Sequence, residues 1–160
     1  MILGLHHAAL AVPSMQRALD FYCGVLGFRV TMEAELPAGF APMNEAFGVA
    51  NAACKVRMIR KGGSCIELFE FADAEAGDAR RPVNRIGITH IALATDDYLA
   101  DYDQLAKQGV VFNAPPFGAA PQRFAYGRDP FGNVIELLEH APGDANAGRF
   151  ESESERRPLA

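Results

Sequence analysis

His7-Ala8-Ala9-Leu10-Ala11-Val12 is a short apolar run with no polar break, the pattern of a strand covered on both faces. Pro13-Ser14 follows, with Ser14 in position to cap a helix, and Met15, Ala18, Leu19, Tyr22 and Leu26 then recur at helical spacing before Gly27. Phe28–Met32 alternates like a further strand. Lys55–Ile59 and Cys65–Phe71 flank Lys61-Gly62-Gly63 and predict a hairpin. Farther on, His90–Thr95 reads as a strand and Asp96-Asp97 as an acidic cap. A helix bearing Tyr98, Tyr102 and Leu105 inward then ends at Gly109. Phe124–Arg128 and Val134–His140 form a second predicted hairpin, turned by Asp129-Pro130-Phe131-Gly132-Asn133.

These elements are two copies of one plan. The strand opening on His7 has its counterpart at His90, and Ile66-Glu67-Leu68-Phe69-Glu70 has one at Ile135-Glu136-Leu137-Leu138-Glu139, in the same order. Each copy runs strand, helix, then about three strands, an α+β arrangement of duplicated modules. Module one covers about 2–71, a polar linker about 72–86 and module two about 87–140, together one domain over 1–140. The polar stretch 141–160 lacks apolar periodicity and predicts a disordered tail. Residues 33–54 are extra in the first copy and predict a loop with a short helix. Phe40, Met43 and Phe47 there would either form a lid or pack on the outside.

Composition narrows the function classes. The chain has 160 residues, 49% of them hydrophobic, enough for one globular domain. A net charge of −5 with no basic run argues against a nucleic-acid groove. No apolar stretch approaches the roughly 20 residues that span a bilayer, and the first residues lack the basic start of a signal peptide. Three cysteines without close spacing argue against a disulfide framework or a thiolate zinc site. A cytoplasmic protein with neither nucleic-acid nor membrane partners is the expectation.

Alternation along a strand places His7, Ala9 and Ala11 on one face and His90, Ala92 and Ala94 on the equivalent face of the second copy. Alanine beside histidine leaves space where a packed core would be filled, which suits a face kept open for a ligand. Glu67 shares its face with Phe69 and Phe71, and Glu136 with Leu138 and His140. A carboxylate among apolar groups needs a partner. His7, Glu67, His90 and Glu136 satisfy one another if a divalent cation (zinc, nickel, cobalt, manganese or iron) lies between them. Glu70 and Glu139 fall on the other face and read as surface charges. His6 also falls there and reads as a structural residue or a support for the ligands, and His140 sits at a strand end where solvent is expected. Arg57, Arg60, Arg123 and Arg128 are candidates for meeting an acidic substrate.

The runs His7-x-Ala-Leu-x-Val, Ala18-Leu19-Asp20-Phe21-Tyr22, Leu26-Gly27-Phe28, Gly87-Ile88-Thr89-His90-Ile91-Ala92-Leu93 and Asp129-Pro130-x-Gly132-Asn133-x-Ile135-Glu136-Leu137 together resemble the vicinal oxygen chelate superfamily. That superfamily includes glyoxalase I, methylmalonyl-CoA epimerase, extradiol dioxygenases, fosfomycin-resistance enzymes and bleomycin-binding proteins. The resemblance implies tandem βαβββ modules forming a cup-shaped mixed sheet around a metal, often in a homodimer. It places His7, Glu67, His90 and Glu136 at the four metal-ligand positions of the glyoxalase and epimerase branches. It further implies a small-molecule substrate and a metal-dependent lyase or isomerase that stabilises an enolate-like intermediate, with Glu136 and Glu67 as the catalytic pair. The alternatives are an iron-dependent extradiol-type dioxygenase and a non-catalytic binder of small molecules.

Overall fold

Ser14 does cap the first helix. In the computed structural model, which describes residues 1–75, 77, 81–141, 143–145 and 150, its Oγ accepts from the Arg17 N–H at 3.4 Å. The elements are β1 (Ala8–Ala11), α1 (Met15–Leu19), β2 (Arg29–Leu36), α2 (Ala41–Phe47), β3 (Cys54–Lys61) and β4 (Ser64–Phe71), then β5 (Ile91–Thr95), α3 (Tyr98–Lys107), β6 (Val111–Phe112), β7 (Phe124–Arg128) and β8 (Val134–Glu139). The chain divides into two compact units, one holding β1–β4 and the other β5–β8. Each unit is a βαβββ module, and the first carries α2 as its extra helix. Parts of the expected linker and most of the expected tail (76, 78–80, 142, 146–149 and 151–160) lie outside the described residues, and with them the expectation of disorder.

Each module is a four-stranded mixed sheet, ordered β1-β4-β3-β2 in the first and β5-β8-β7-β6 in the second. The first strand of each module runs parallel to the last, and the other pairs are antiparallel. In module one, α1 lies against β4, and Met15, Ala18, Tyr22, Ile59, Ile66 and Leu68 are buried. In module two, α3 lies against β8, and Tyr98, Leu105, Ala125, Ile135 and Leu137 are buried. Gly127 in β7 admits no side chain, since a Cβ there would lie 2.9 Å from the Phe112 ring and 3.0 Å from the Val111 carbonyl. No helix among the described residues is long and apolar enough to cross a membrane.

Local departures from the sequence pattern have identifiable causes. The first helix continues beyond α1 as a π-helical segment, Asp20–Val25, in which the Leu26 N–H reaches the Phe21 carbonyl at 3.0 Å. β2 runs on to Leu36, and its register shifts between Val30 and Met32. Thr31 is the additional residue, and its hydroxyl donates to the Met58 carbonyl at 3.2 Å. Beyond that bulge Glu33 and Glu35 stand opposite Arg57 and Lys55, while Met32, Ala34 and Leu36 stand opposite Met58, Val56 and Cys54. The start of α3 is held by Thr95 rather than by the Asp96-Asp97 pair. Thr95 Oγ1 accepts from the Asp97 N–H at 3.0 Å and donates to Asp101.

Glu70 and Glu139 are not surface charges. Glu70 accepts from the backbone N–H of Met15 at the start of α1 and from Lys55 Nζ at 3.0 Å. Glu139 takes the Arg123 backbone N–H at 3.1 Å and its Nε at 2.9 Å. Each carboxylate thus satisfies donors distant in sequence, and each is held below the usual carboxylate range, Glu70 by the Met15 N–H and Lys55, Glu139 by the Arg123 guanidinium. For Glu70 the sign is that of a depressed acid. Its stabilisation is complete above the ordinary value of 4.5 and is lost as the pH falls through the lower folded value. Urea denaturation at pH 7 and in the acid range is therefore expected to find Glu70→Gln less stable at neutrality, with a shallower loss of stability towards acid.

Candidate metal site

His7 stands one residue ahead of β1, and His90 one residue ahead of β5. In the parallel pairing Ala9 lies beside Glu67 and Ala92 beside Glu136, so each histidine is diagonal to its module's glutamate on the same face. His7 Nε2 lies 3.1 Å from Glu67 Oε2, and His90 Nε2 lies 3.1 Å from Glu136 Oε2. The carboxylates are 17% and 14% exposed, shielded enough to need their partners and open enough to reach a ligand. Ala9, Ala11, Ala92 and Ala94 are all exposed, so each alanine-lined face is open, as the sequence predicts. Among the described residues no three His, Cys, Asp or Glu side chains cluster. The four expected ligands are joined two by two, one pair in each module.

The other imidazole nitrogen is occupied as well. Nδ1 of His90 lies 2.8 Å from Thr89 Oγ1, and Nδ1 of His7 lies 2.8 Å from Nδ1 of His6. His6 therefore orients His7, in keeping with a supporting place outside the donor set. Both pairs present a ring nitrogen and a carboxylate oxygen, a borderline donor set that suits zinc, nickel, cobalt, manganese or iron(II). A neighbour fixing the far ring nitrogen is the usual companion of a ligating histidine.

Tyr126 joins the second pair and was not foreseen. It lies directly across the hairpin from Glu136, and its ring meets His90 edge-on with centroids 5.1 Å apart. Burial, the Glu136 charge and a hydrogen bond to that carboxylate together raise its phenol above the ordinary value. Counting outward from the Asp129–Asn133 turn would have paired the two residues. The equivalent place opposite Glu67 is held by Met58.

Aromatic rings cover part of the first open face. Phe69 and Phe71 stack at 5.3 Å, and Phe47 of α2 stands edge-on to them at 5.8 and 6.1 Å. The inserted helix thus lies on the face that carries Glu67. Cys54 is buried there, and burial, with the Glu67 charge added, pushes its thiol up. Three of the four arginine candidates have partners within their own compact unit. Arg57 Nε meets Glu33 at 3.1 Å, Arg123 meets Glu139, and Arg128 donates to the carbonyls of Gly132 and Arg81. Arg60 is exposed and stands opposite Cys65 on the open face. His140 is half-buried, its Nδ1 3.6 Å from Asp144, rather than solvated.

A model of the Glyoxalase/Bleomycin resistance protein/Dioxygenase superfamily matches residues 4–137. A 2-epi-5-epi-valiolone epimerase from Actinomyces sp is 30% identical over 96% of this chain and 86% of its own length. A lactoylglutathione lyase from Neisseria meningitidis is 29% identical over 88% of this chain and 93% of its own. Among solved structures, a glyoxalase family protein from Bacillus cereus shares the fold with a TM-score of 0.75 at 22% identity, covering 86% of this chain and 94% of that one. The fosfomycin resistance protein of Listeria monocytogenes, complexed with Mn(II) and sulfate, superposes with a TM-score of 0.60 at 15% identity, over 89% of this chain and 96% of its own.

Proposed function

The chain belongs to the Glyoxalase/Bleomycin resistance protein/Dioxygenase superfamily, and from that premise we propose that it is a metal-dependent lyase or isomerase acting on a carbon next to a carbonyl. The observation that carries this reading is the recurrence of one His–Glu pair at matching places in both modules, each at 3.1 Å. His7, Glu67, His90 and Glu136 would together hold one divalent cation. The cation, when bound, supplies positive charge that stabilises an enolate-like oxyanion, worth several kcal/mol. Resemblance to an epimerase and to a lactoylglutathione lyase supports this class of chemistry.

The chain's own residues supply binding and proton transfer. The histidines are oriented through Nδ1 by His6 and Thr89 and present Nε2. The exposed alanines leave room for a substrate against the sheet, and the aromatic cluster of Phe47, Phe69 and Phe71 keeps one part of the first face dry. One carboxylate of the pair Glu67 and Glu136 removes the proton next to the carbonyl, and the other returns it. The enzyme would act on a small molecule in the cytoplasm, as a homodimer.

Elemental analysis of the purified protein, followed by a solvent-deuterium exchange screen, tests this. The substrates are the methylglyoxal–glutathione hemithioacetal, acyl-CoA thioesters and 2-epi-5-epi-valiolone. Deuterium uptake that stops on chelation and returns with nickel, cobalt, manganese or zinc is the expected result. Iron in the protein together with oxygen uptake on catechols would replace this reading with ring cleavage. A ligand held unchanged, and still held after chelation, would replace it with simple binding.

A further inference from the structure

The open face of module one is cationic at one end and aromatic at the other, with the His7–Glu67 pair beside the cationic end. We infer that Arg60 anchors an oxyanion, a carboxylate or a phosphoryl group, on the substrate of the metal site. The inference rests on the metal-dependent reading above and names the class of substrate that site would take.

The register of the sheet places these groups. On β3, Arg60 stands opposite Cys65 and Met58 opposite Glu67, and Arg29 of β2 stands opposite Arg60 on the other side. Arg60 is therefore diagonal to Glu67, about 7–8 Å away between backbones and within reach of a long side chain. Glu67 is turned instead to His7, Oε2 to Nε2 at 3.1 Å. The other cations of β3 are committed. Lys55 meets Glu70 at 3.0 Å, Arg57 meets Glu33 at 3.1 Å, and Lys61 donates to the Leu26 carbonyl at 2.8 Å. Arg60 is exposed, and among the described residues no acid or carbonyl takes its guanidinium. Like charges directly opposite each other across a ladder are destabilising, and an anion between Arg29 and Arg60 would relieve that cost.

Module two supplies the comparison. The equivalent arginine, Arg128, stands opposite Val134 and diagonal to Glu136. It is already bound, to the carbonyls of Gly132 and Arg81 at 2.8 and 2.6 Å. The turns account for part of this difference. Asp129–Asn133 joins β7 to β8 and brings the Gly132 carbonyl back to Arg128, whereas Gly62-Gly63 alone joins β3 to β4. A guanidinium matches a carboxylate or phosphate with two parallel donors. An anion held by Arg60 lies beside the His7–Glu67 pair, so the substrate carries its charge within a few bonds of the reacting carbonyl. Its uncharged part then extends towards Phe47, Phe69 and Phe71.

Calorimetry on the full-length, nickel-loaded protein tests this with three hydroxamates, which chelate a metal through two adjacent oxygens. Acetohydroxamate carries no further charge, succinohydroxamate adds a carboxylate and phosphonoacetohydroxamate adds a phosphonate. The wild type is expected to bind one or both anionic compounds about tenfold more tightly than acetohydroxamate, the lower end for charge-assisted hydrogen bonding, because Arg60 is exposed. The compound that gains more identifies the substrate's anion as carboxylate or phosphoryl. Arg60→Gln should erase the gain and leave acetohydroxamate binding unchanged. Arg60→Lys should fall between, since it keeps the charge without the fork. Lys107→Gln, exposed on α3, controls for net charge and should keep all three affinities. Wild-type protein without the preference, or Arg60→Gln that retains it, overturns the anchor while acetohydroxamate binding upholds the metal site. A protein that binds no nickel, or binds nickel and none of the hydroxamates, overturns the metal-dependent reading and the inference with it.

Discussion

Glu67→Gln, measured with each protein saturated in metal, is expected to lose roughly 10²–10⁴-fold in solvent-deuterium exchange at the carbon next to the carbonyl, the usual worth of a positioned general base. Glutamine keeps the size and an acceptor oxygen, so the face and its neighbours are retained while the proton acceptor is removed. The same substitution at Glu136 is expected to lower exchange as well, since the two carboxylates are proposed to share the proton transfer. Exchange that survives Glu67→Gln at metal saturation would move the base to another residue.

The largest effect on stability is expected in the middle of β4. Leu68 is 0% exposed and lies between Leu10 of β1 and Arg57 of β3. Leu68→Ala removes three buried carbons and leaves a cavity, costing about 2–5 kcal/mol and lowering the melting temperature by roughly 5–15 °C in a chain of this size. Leu99 is 55% exposed on α3, and Leu99→Ala should stay within about 0.5 kcal/mol. Because Leu68 is next to Glu67, the damage is expected to reach the site as weakened metal binding. Calorimetry with and without metal measures both. A melting temperature unchanged in Leu68→Ala would place the core elsewhere.

The faces of the strands were legible because a period of two leaves little freedom. His7 with Ala9 and Glu67 with Phe69 had to share sides once both segments were strands, and the structure puts all four on one open face. The duplication was legible because both modules repeat the same residue types in the same order. Tyr126 escaped because it matters only across a hairpin, where the pairing depends on the length of the turn. Glu70 and Glu139 escaped for a related reason. One meets the N–H of Met15, 55 positions away, and the other meets Arg123, 16 positions away. Nothing local marks either carboxylate as anchored. The π-helical segment after α1 escaped because its apolar spacing is nearly that of an α-helix.

Thr31 determines which way a whole strand faces. Were Thr31 instead paired opposite Met58 with no bulge, Glu33 and Glu35 would turn to the side of Glu67, and Met32 and Leu36 would turn away from it. Two more carboxylates would then border the open face, drawing cations to its edge and repelling any anionic reactant. Drawing that one residue into the ladder would reverse the electrostatic character of the floor on which the chemistry is proposed to occur, with every catalytic side chain still present.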